Sequence, residues 1–145
     1  MSDYADTGFI CSLYAPDAHT DRAAKFMEKQ SAPIFFSWLN QVEFRNALRL
    51  RVFRKEITAA QSDHSLNLLL SDLSAGIFKN IEFAHSSVLI ETERLSAQHS
   101  EKLGTRSLDI LHVAMAVTLG SDCFLSFDTR QVKLAKAAGL KVPKL

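Results

Sequence analysis

Apolar positions recur along the chain with two different spacings, which predict helices and strands in alternation. Compact apolar runs at Pro33–Ser37 (PIFFS) and Cys123–Phe127 (CFLSF) are typical of buried strands. The segment Leu108–Leu119 (LDILHVAMAVTL) is apolar on nearly every side and indicates a buried helix, in which Asp109 is the polar exception. Further strands are predicted at Tyr4–Asp6, Ile77–Phe83 and Leu140–Val142.

Amphipathic spacing and capping residues predict the other helices. Thr58 and Gln61 have the spacing of a capping box, and Gly76 ends the helix that begins there. We expect this helix to form a hairpin with the helix before it. The predicted helices cover residues 7–14, 17–30, 38–55, 58–75, 86–99, 108–119 and 129–138, with further caps at Ser37 or Asn40, at Ser86 or Ser87, and at Ser107.

The alternation of strands and helices predicts the fold class. Such a pattern implies right-handed crossovers and a parallel sheet that is covered on both faces. We therefore predict an α/β fold of three layers, α/β/α, around a central and mostly parallel sheet. A chain of 145 residues with 47% hydrophobic and 23% charged residues suits one domain over residues 1–145. Folding at this size buries about two thirds of the surface of the unfolded chain, so the fold needs no disulfide or structural metal.

The cysteines and the apolar runs indicate the cellular compartment of the protein. Cys11 and Cys123 lie in apolar stretches without metal-ligand spacing, and we expect buried free thiols, which fit a reducing environment. The N-terminus lacks a basic leader with a long apolar core, and no apolar run reaches the roughly 18 residues of a membrane-spanning helix. The expectation is a cytoplasmic protein without membrane contact.

Charge is distributed in blocks, although the net charge of the chain is only +1. Residues 1–43 have a net charge of −3 and residues 56–128 of −6, whereas residues 44–55 and 129–145 each have +5 and no acidic group. Each purely basic segment directly follows an acid, Glu43 or Asp128. This order suits binding of a phosphate backbone beside a cation site, although a solvated helix face explains each segment alone equally well.

Four acids are predicted to meet where the strands end, because loops converge at the carboxyl edge of a parallel sheet. Asp6 and Asp128 each follow a predicted strand. Glu43 and Asp109 each lie in the early turns of a predicted helix. Simpler roles exist for three of them, since Asp6 and Asp128 can cap helices and Glu43 can pair with an arginine. Asp109 is harder to explain structurally, because a carboxylate in so apolar a helix gains little beyond the helix dipole.

Carboxylates that cluster in this way favour a bound cation. They repel one another, raise one another's pKa values and destabilise the fold when no cation is present. Oxygen-only ligation by Asp and Glu suits Mg²⁺ or Mn²⁺. Such an ion polarises a phosphoryl oxygen and generates a hydroxide nucleophile, so the acids indicate metal-assisted phosphodiester hydrolysis.

Four segments of the sequence resemble the PIN domain, and within it the VapC-like toxins of prokaryotic toxin–antitoxin pairs. The resemblance covers nearly the whole chain, and the order and spacing of the four acids make it specific. The segments are Tyr4-Ala5-Asp6-Thr7, Glu43 with Asn46 and Ala47, Thr105–Ala114 (TRSLDILHVA) and Phe124–Asp128 (FLSFD).

The resemblance implies a Mg²⁺- or Mn²⁺-dependent endoribonuclease. Asp6, Asp109 and Asp128 would be metal ligands, directly or through water. Glu43 would help to hold the metal or orient the attacking water. Members of the family commonly form homodimers, and a small antitoxin protein inhibits them by covering the active-site groove with its C-terminal segment.

Two departures from the family pattern concern the metal centre. Gly8 stands where the family often has Ser or Asn, and Thr129 and Arg130 follow the last aspartate where it often has an acid or an amide. We therefore expect a second cation to bind weakly, or only when substrate phosphate supplies ligands.

Rival functions are weighed against the same residues. Gly8 disfavours a phosphatase of the D-x-D type, and the runs PIFFS and CFLSF lack the aspartate and lysine of a phosphotransfer receiver domain. The rival that stays open is a non-catalytic PIN-like module that binds RNA or a protein without cutting.

Basic and aromatic residues complete the set of candidates. Arg45, Arg106 and Arg130 are candidate RNA contacts, and the alternative is pairing with acids, the antitoxin or a dimer partner. His112, one turn after Asp109, is expected to be a hydrogen-bonded core histidine rather than a ligand. Further candidates for steering RNA are Arg49, Arg51, Arg54 and Lys55.

The aromatic residues that follow the first predicted crossover are assigned to the interior. Phe35, Phe36 and Trp38 are expected in the core, with stacking on an RNA base as the alternative for Trp38. The apolar surface of the Trp38–Ala75 hairpin is the predicted dimer interface.

Overall fold

The structure is a computed structural model and describes residues 2–145. Two helices follow each of the first three strands, and a single helix follows the fourth. The elements are β1 Asp3–Ala5, α1 Thr7–Tyr14, α2 Thr20–Glu28, β2 Ile34–Phe36, α3 Trp38–Phe53, α4 Ala59–Ser74, β3 Phe78–Asn80, α5 His85–Leu103, α6 Ser107–Thr118, β4 Phe124–Leu125 and α7 Thr129–Ala137.

The four strands form one parallel sheet in the order β3-β2-β1-β4. Helices cover both of its faces, which confirms the predicted three-layer α/β/α fold. The predicted last strand, Leu140–Val142, is wrong as a strand, because only a single bridge joins Lys141 to Cys123. Pro143 follows at once and has no N–H with which to extend a ladder.

Two apolar clusters lie on the two faces of the sheet, because successive strand residues point to opposite faces. Tyr4 belongs to the cluster formed with α5, α6 and α7. Ala5, the next residue, belongs to the cluster formed with α1, α3 and α4. Cys11 and Cys123 are free thiols as predicted, but each is only partly buried, because it lies at the margin of the core rather than inside it. Within residues 2–145, no helix combines the length and the apolar character that a membrane crossing requires.

Three details of the helix starts correct the sequence analysis. Trp38 is 53% exposed rather than in the core, because it is the first residue of α3 and its neighbour Leu39 turns inward instead. The N-cap of α5 is Ala84, which has no capping side chain, so neither Ser86 nor Ser87 caps that helix. The N-cap of α6 is Arg106, and Ser107 is already helical. Ser37 and Thr58 cap α3 and α4 through capping boxes, as their spacing predicts.

Candidate active site

Asp6 is a buried carboxylate directly after β1, where the chain enters α1. It caps α1, since the backbone N–H of Phe9 donates to Oδ1 at 2.7 Å. The hydroxyl of Ser126 donates to the other carboxylate oxygen. Burial, with a smaller contribution from the charge of Asp128, raises the pKa of Asp6 to about 6, against the lowering effect of these two hydrogen bonds and of His112. The fold therefore holds Asp6 at a position where a negative charge lowers the stability of the folded protein.

Asp128 lies between β4 and α7, three residues after the end of the strand, and caps α7. Its Oδ1 accepts the backbone N–H groups of Arg130 at 2.9 Å and Gln131 at 3.1 Å. Its own backbone N–H donates to Ser126 Oγ at 3.0 Å. Ser126 thus links the two aspartates, which both cap helices and also lie close enough for their charges to repel.

Glu43 projects from α3 toward the starts of α1 and α6. Thr7 donates its hydroxyl to Glu43 Oε1 at 2.8 Å, and His112 Nε2 contacts the same oxygen. Burial alone would raise the pKa of Glu43, but the hydrogen bond and charge of His112, together with Thr7 and the charge of Arg106, lower it below the ordinary value. Among the described residues, Glu43 therefore forms a contact with a histidine and not the arginine pair that was its simpler alternative role.

Asp109 lies in the first turn of α6 and is partly exposed. Arg106 Nε donates to Asp109 Oδ2 at 3.1 Å. The side-chain amide of Gln131 donates to the backbone carbonyl of Asp109 at 3.3 Å, which ties α6 to α7. The carboxylate that the sequence left without a structural role therefore has a partner, although that partner is mostly exposed.

These contacts connect the four acids around one edge of the sheet. Asp128 acts on Asp6, and Gln131 joins the start of α7 to the backbone of Asp109. Arg106 pairs with Asp109, and its charge also acts on Glu43. Asp6 and Asp128 follow β1 and β4, whose carboxyl ends lie at one edge of the sheet, and the meeting of all four carboxylates stays a prediction.

No three His, Cys, Asp or Glu side chains between residues 2 and 145 are placed to hold a metal ion together in this arrangement. Asp6, Asp109 and Asp128 stay the predicted ligands. The donor set fits a hard divalent cation, because it consists of carboxylate oxygens and because Asp6 and Asp128 repel each other.

Sequence reasoning missed the neutral residues that organise the acids. Thr7 lies against both Glu43 and Asn40, and Ser126 lies between Asp6 and Asp128. The available signals were local, since Thr7 follows Asp6 and Asn40 lies one turn before Glu43. His112 is a hydrogen-bonded core residue as predicted, 2% exposed, yet one of its partners is a candidate site acid.

The predicted RNA-binding residues differ in their surroundings. Arg51 pairs with Glu56 and donates to the carbonyl of Pro16, so it has a structural role. Arg45 lines a surface groove of about 260 Å³ between α3 and α4. Arg130 is exposed in the first turn of α7. Arg45 and Arg130 take part in no ion pair among the described residues, whereas Arg106 pairs with Asp109.

The fold and the site define a small α/β protein with an acidic centre at the carboxyl edge of a parallel sheet. The chain belongs to the PIN domain family, whose family model matches residues 4–137. Comparison with curated protein sequences gave no match.

Solved structures with the same fold share little sequence with this chain. VapC20 from Mycobacterium tuberculosis, a toxin that cleaves the sarcin–ricin loop, has a TM-score of 0.70 at 18% identity, with 97% of each chain covered. VapBC2 from Rickettsia felis, bound to a promoter DNA fragment, has a TM-score of 0.67 at 15% identity, with 99% of this chain and 98% of that chain covered. FitAcB from Neisseria gonorrhoeae has a TM-score of 0.64 at 16% identity, with 96% of this chain and 94% of that chain covered.

Proposed function

We propose that this protein is a Mg²⁺- or Mn²⁺-dependent endoribonuclease and the toxin of a toxin–antitoxin pair. One observation carries the proposal: the fold places Asp6 and Asp128 together after neighbouring parallel strands, where their charges repel and burial penalises Asp6. Proteins retain such costly arrangements at functional sites. Membership of the PIN family and the resemblance to VapC-like toxins support ribonuclease chemistry.

Asp6, Asp109 and Asp128 would hold the metal, directly or through water. When bound, a divalent cation supplies charge neutralisation at the scissile phosphate and lowers the pKa of a coordinated water. Glu43 keeps Oε2 free of hydrogen bonds to the described residues, so this oxygen can accept a proton from the attacking water or orient it. Arg106 would contact the phosphate on the same side.

The remaining parts of the proposal concern partners and setting. Arg45 and Arg130 would bind RNA, because neither forms an ion pair with an acid among the described residues. We also propose one nuclease domain over residues 1–145, a cognate antitoxin, a homodimer that uses the Trp38–Ala75 hairpin, and a cytoplasmic location.

Incubation of purified, antitoxin-free protein with total cellular RNA tests the proposal. We expect discrete cleavage products with Mg²⁺ and with Mn²⁺ and none with EDTA. Asp109→Asn should reduce the cleavage rate by about a hundredfold or more, because it removes a ligand charge without changing side-chain volume. Folded wild-type protein that cuts none of several RNA pools would favour a non-catalytic module that binds RNA or a protein.

Divalent cations should also stabilise the folded protein. A ligand that binds only the native state raises its stability, and saturation far above the dissociation constant should raise Tm by about 5 °C or more. Thermal unfolding with Mg²⁺ or Mn²⁺ measures this, with KCl of equal ionic strength as the control for screening. An equal shift in KCl, or an undiminished shift in Asp6→Asn, would contradict metal binding at these acids.

A further inference from the structure

Six side chains close a circuit of hydrogen bonds behind the candidate acidic centre. They come from β1, from the starts of α1 and α6, and from the first two turns of α3 with its N-cap. We propose that this polar ring is a positioning device that fixes the carboxylate of Glu43 for RNA hydrolysis, an inference that rests on the proposed function. Its members are Tyr4, Thr7, Ser37, Asn40, Glu43 and His112.

One half of the polar ring leads from β1 through α6 to Glu43. The hydroxyl of Tyr4 lies 2.8 Å from Nδ1 of His112. Nε2 of the same imidazole contacts Oε1 of Glu43. The two nitrogens of one buried histidine therefore connect the phenol in the core to the carboxylate at the site.

The other half leads back through α1 and the cap of α3. Thr7 donates to Glu43 Oε1 at 2.8 Å and accepts from the amide of Asn40 at 3.2 Å. The carbonyl oxygen of Asn40 accepts from Ser37 Oγ at 2.9 Å. Ser37 Oγ lies 3.1 Å from the hydroxyl of Tyr4, which closes the circuit.

The donors and acceptors of the polar ring can be assigned from the chemistry of its side chains. A carboxylate only accepts hydrogen bonds, so Nε2 of His112 carries the hydrogen that faces Glu43. The one hydroxyl hydrogen of Ser37 goes to Asn40, so the phenol is the donor in the contact between Tyr4 and Ser37. The oxygen of Tyr4 then accepts from Nδ1 of His112, and every contact of the ring contains one hydrogen. Loss of the Tyr4 hydroxyl removes the partner of Nδ1 and the link between His112 and Ser37.

The consequence for Glu43 is an asymmetric carboxylate. Oε1 accepts from both Thr7 and His112, whereas Oε2 has no partner among the described residues. Two donors from different helices fix the side-chain rotamer and leave one oxygen for a water or a substrate proton. A preorganised group avoids reorganisation during the reaction, so it accelerates the chemical step more than it strengthens binding.

Burial argues that the ring is more than a structural contact. Tyr4 and Asn40 are fully buried, and Ser37 and His112 are almost so. Apolar side chains of similar size would fill this space without the desolvation that polar groups incur. A fully satisfied polar network that ends on a single partly exposed carboxylate is what positioning requires.

Tyr4→Phe tests the inference, because it removes one hydroxyl and keeps the ring that packs in the core. Met115→Leu is the matched control, since Met115 Sδ also contacts the Tyr4 hydroxyl, at 3.3 Å, but lies outside the ring. For a short single-stranded RNA, we expect Tyr4→Phe to lower kcat about tenfold and to change KM less than twofold. Met115→Leu should leave both constants within twofold of the wild-type values.

Imidazole ¹⁵N spectra supply a readout that does not depend on activity. Tyr4→Phe should shift the Nδ1 resonance of His112, which loses its partner, and the Nε2 resonance, because the contact with Glu43 loosens. The inference is overturned if Tyr4→Phe cuts at the wild-type rate, changes KM alone, matches Met115→Leu, or leaves both resonances unchanged. A wild type that cuts no RNA instead overturns the proposed function, and the two failures are therefore distinct.

Discussion

Replacement of Asp6 by asparagine should abolish RNA cleavage while raising the stability of the metal-free protein. Cleavage should fall by about a thousandfold or more, because the substitution removes the most deeply buried charge of the acidic centre and with it a proposed metal ligand. Asparagine caps helices as well as aspartate does, so the hydrogen bond from Phe9 is retained. The two effects together would mark Asp6 as a residue kept for function at a cost in stability.

The gain in stability follows from the pKa of Asp6. Folding raises this pKa from 3.8 to about 6, so the native protein binds the proton more tightly than the unfolded chain does. As the pH rises from about 4 to about 6, this group therefore lowers the free energy of unfolding by up to about 3 kcal/mol, and the loss persists at neutral pH. Asparagine does not ionise, so the variant should escape this loss.

Asp3→Asn is the matched control for Asp6→Asn. Asp3 is also a buried aspartate of β1, but it lies at the opposite end of the strand and accepts from Gln30 and from the backbone of Cys123. The Asp3→Asn variant should cut RNA at a rate within twofold of the wild-type rate. Urea unfolding in EDTA at pH 5 and pH 7.5 measures stability, and Asp6→Asn should gain more over the wild type at the higher pH. Residual cleavage within tenfold of wild type, or no such gain, would contradict the role assigned to Asp6.

The sequence predicted the layers of the fold because apolar runs mark strands wherever they occur. PIFFS and CFLSF contain β2 and β4, although only their central residues pair in the sheet. The positions of Asp6 and Asp128 after β1 and β4 follow from where those runs end. Helix boundaries were less certain, as at Arg106, because a serine serves equally well as cap or as first helical residue.

Contacts between distant segments were beyond the sequence. Tyr4 and His112 are separated by 108 residues, and Thr7 and Glu43 by 36. Their pairing depends on the angles at which α1, α3 and α6 pack against the sheet, which no local periodicity encodes. For this reason the sequence identified the acids, which are unusual in apolar surroundings, but not the neutral residues that hold them.

Asn40→Ala should lower the free energy of unfolding by about 3 kcal/mol, the largest loss expected from a single polar residue of the site. Asn40 is fully buried, and its amide makes hydrogen bonds with the backbone N–H and hydroxyl of Ser37, the carbonyl of Ala5 and the hydroxyl of Thr7. Each buried hydrogen bond contributes about 1 kcal/mol, and alanine recovers only about 0.5 kcal/mol through its helix propensity. The net effect on the free energy of unfolding is strongly unfavourable, because the partner groups of Asn40 stay buried without their hydrogen bonds.

Asn46→Ala provides the comparison within the same helix, since Asn46 is exposed on α3 and gains the same helix propensity. We expect its free energy of unfolding, measured by urea denaturation, to lie within about 0.5 kcal/mol of the wild-type value. Asn40→Asp separates the two halves of the network, because aspartate can still accept from Ser37 but donates to neither Ala5 nor Thr7. If Asn40→Ala lost no more stability than Asn46→Ala, the capping box and the link to Thr7 would contribute little. Asn40 would then contribute little to the site, and Glu43 would depend on Thr7 and His112 without its support.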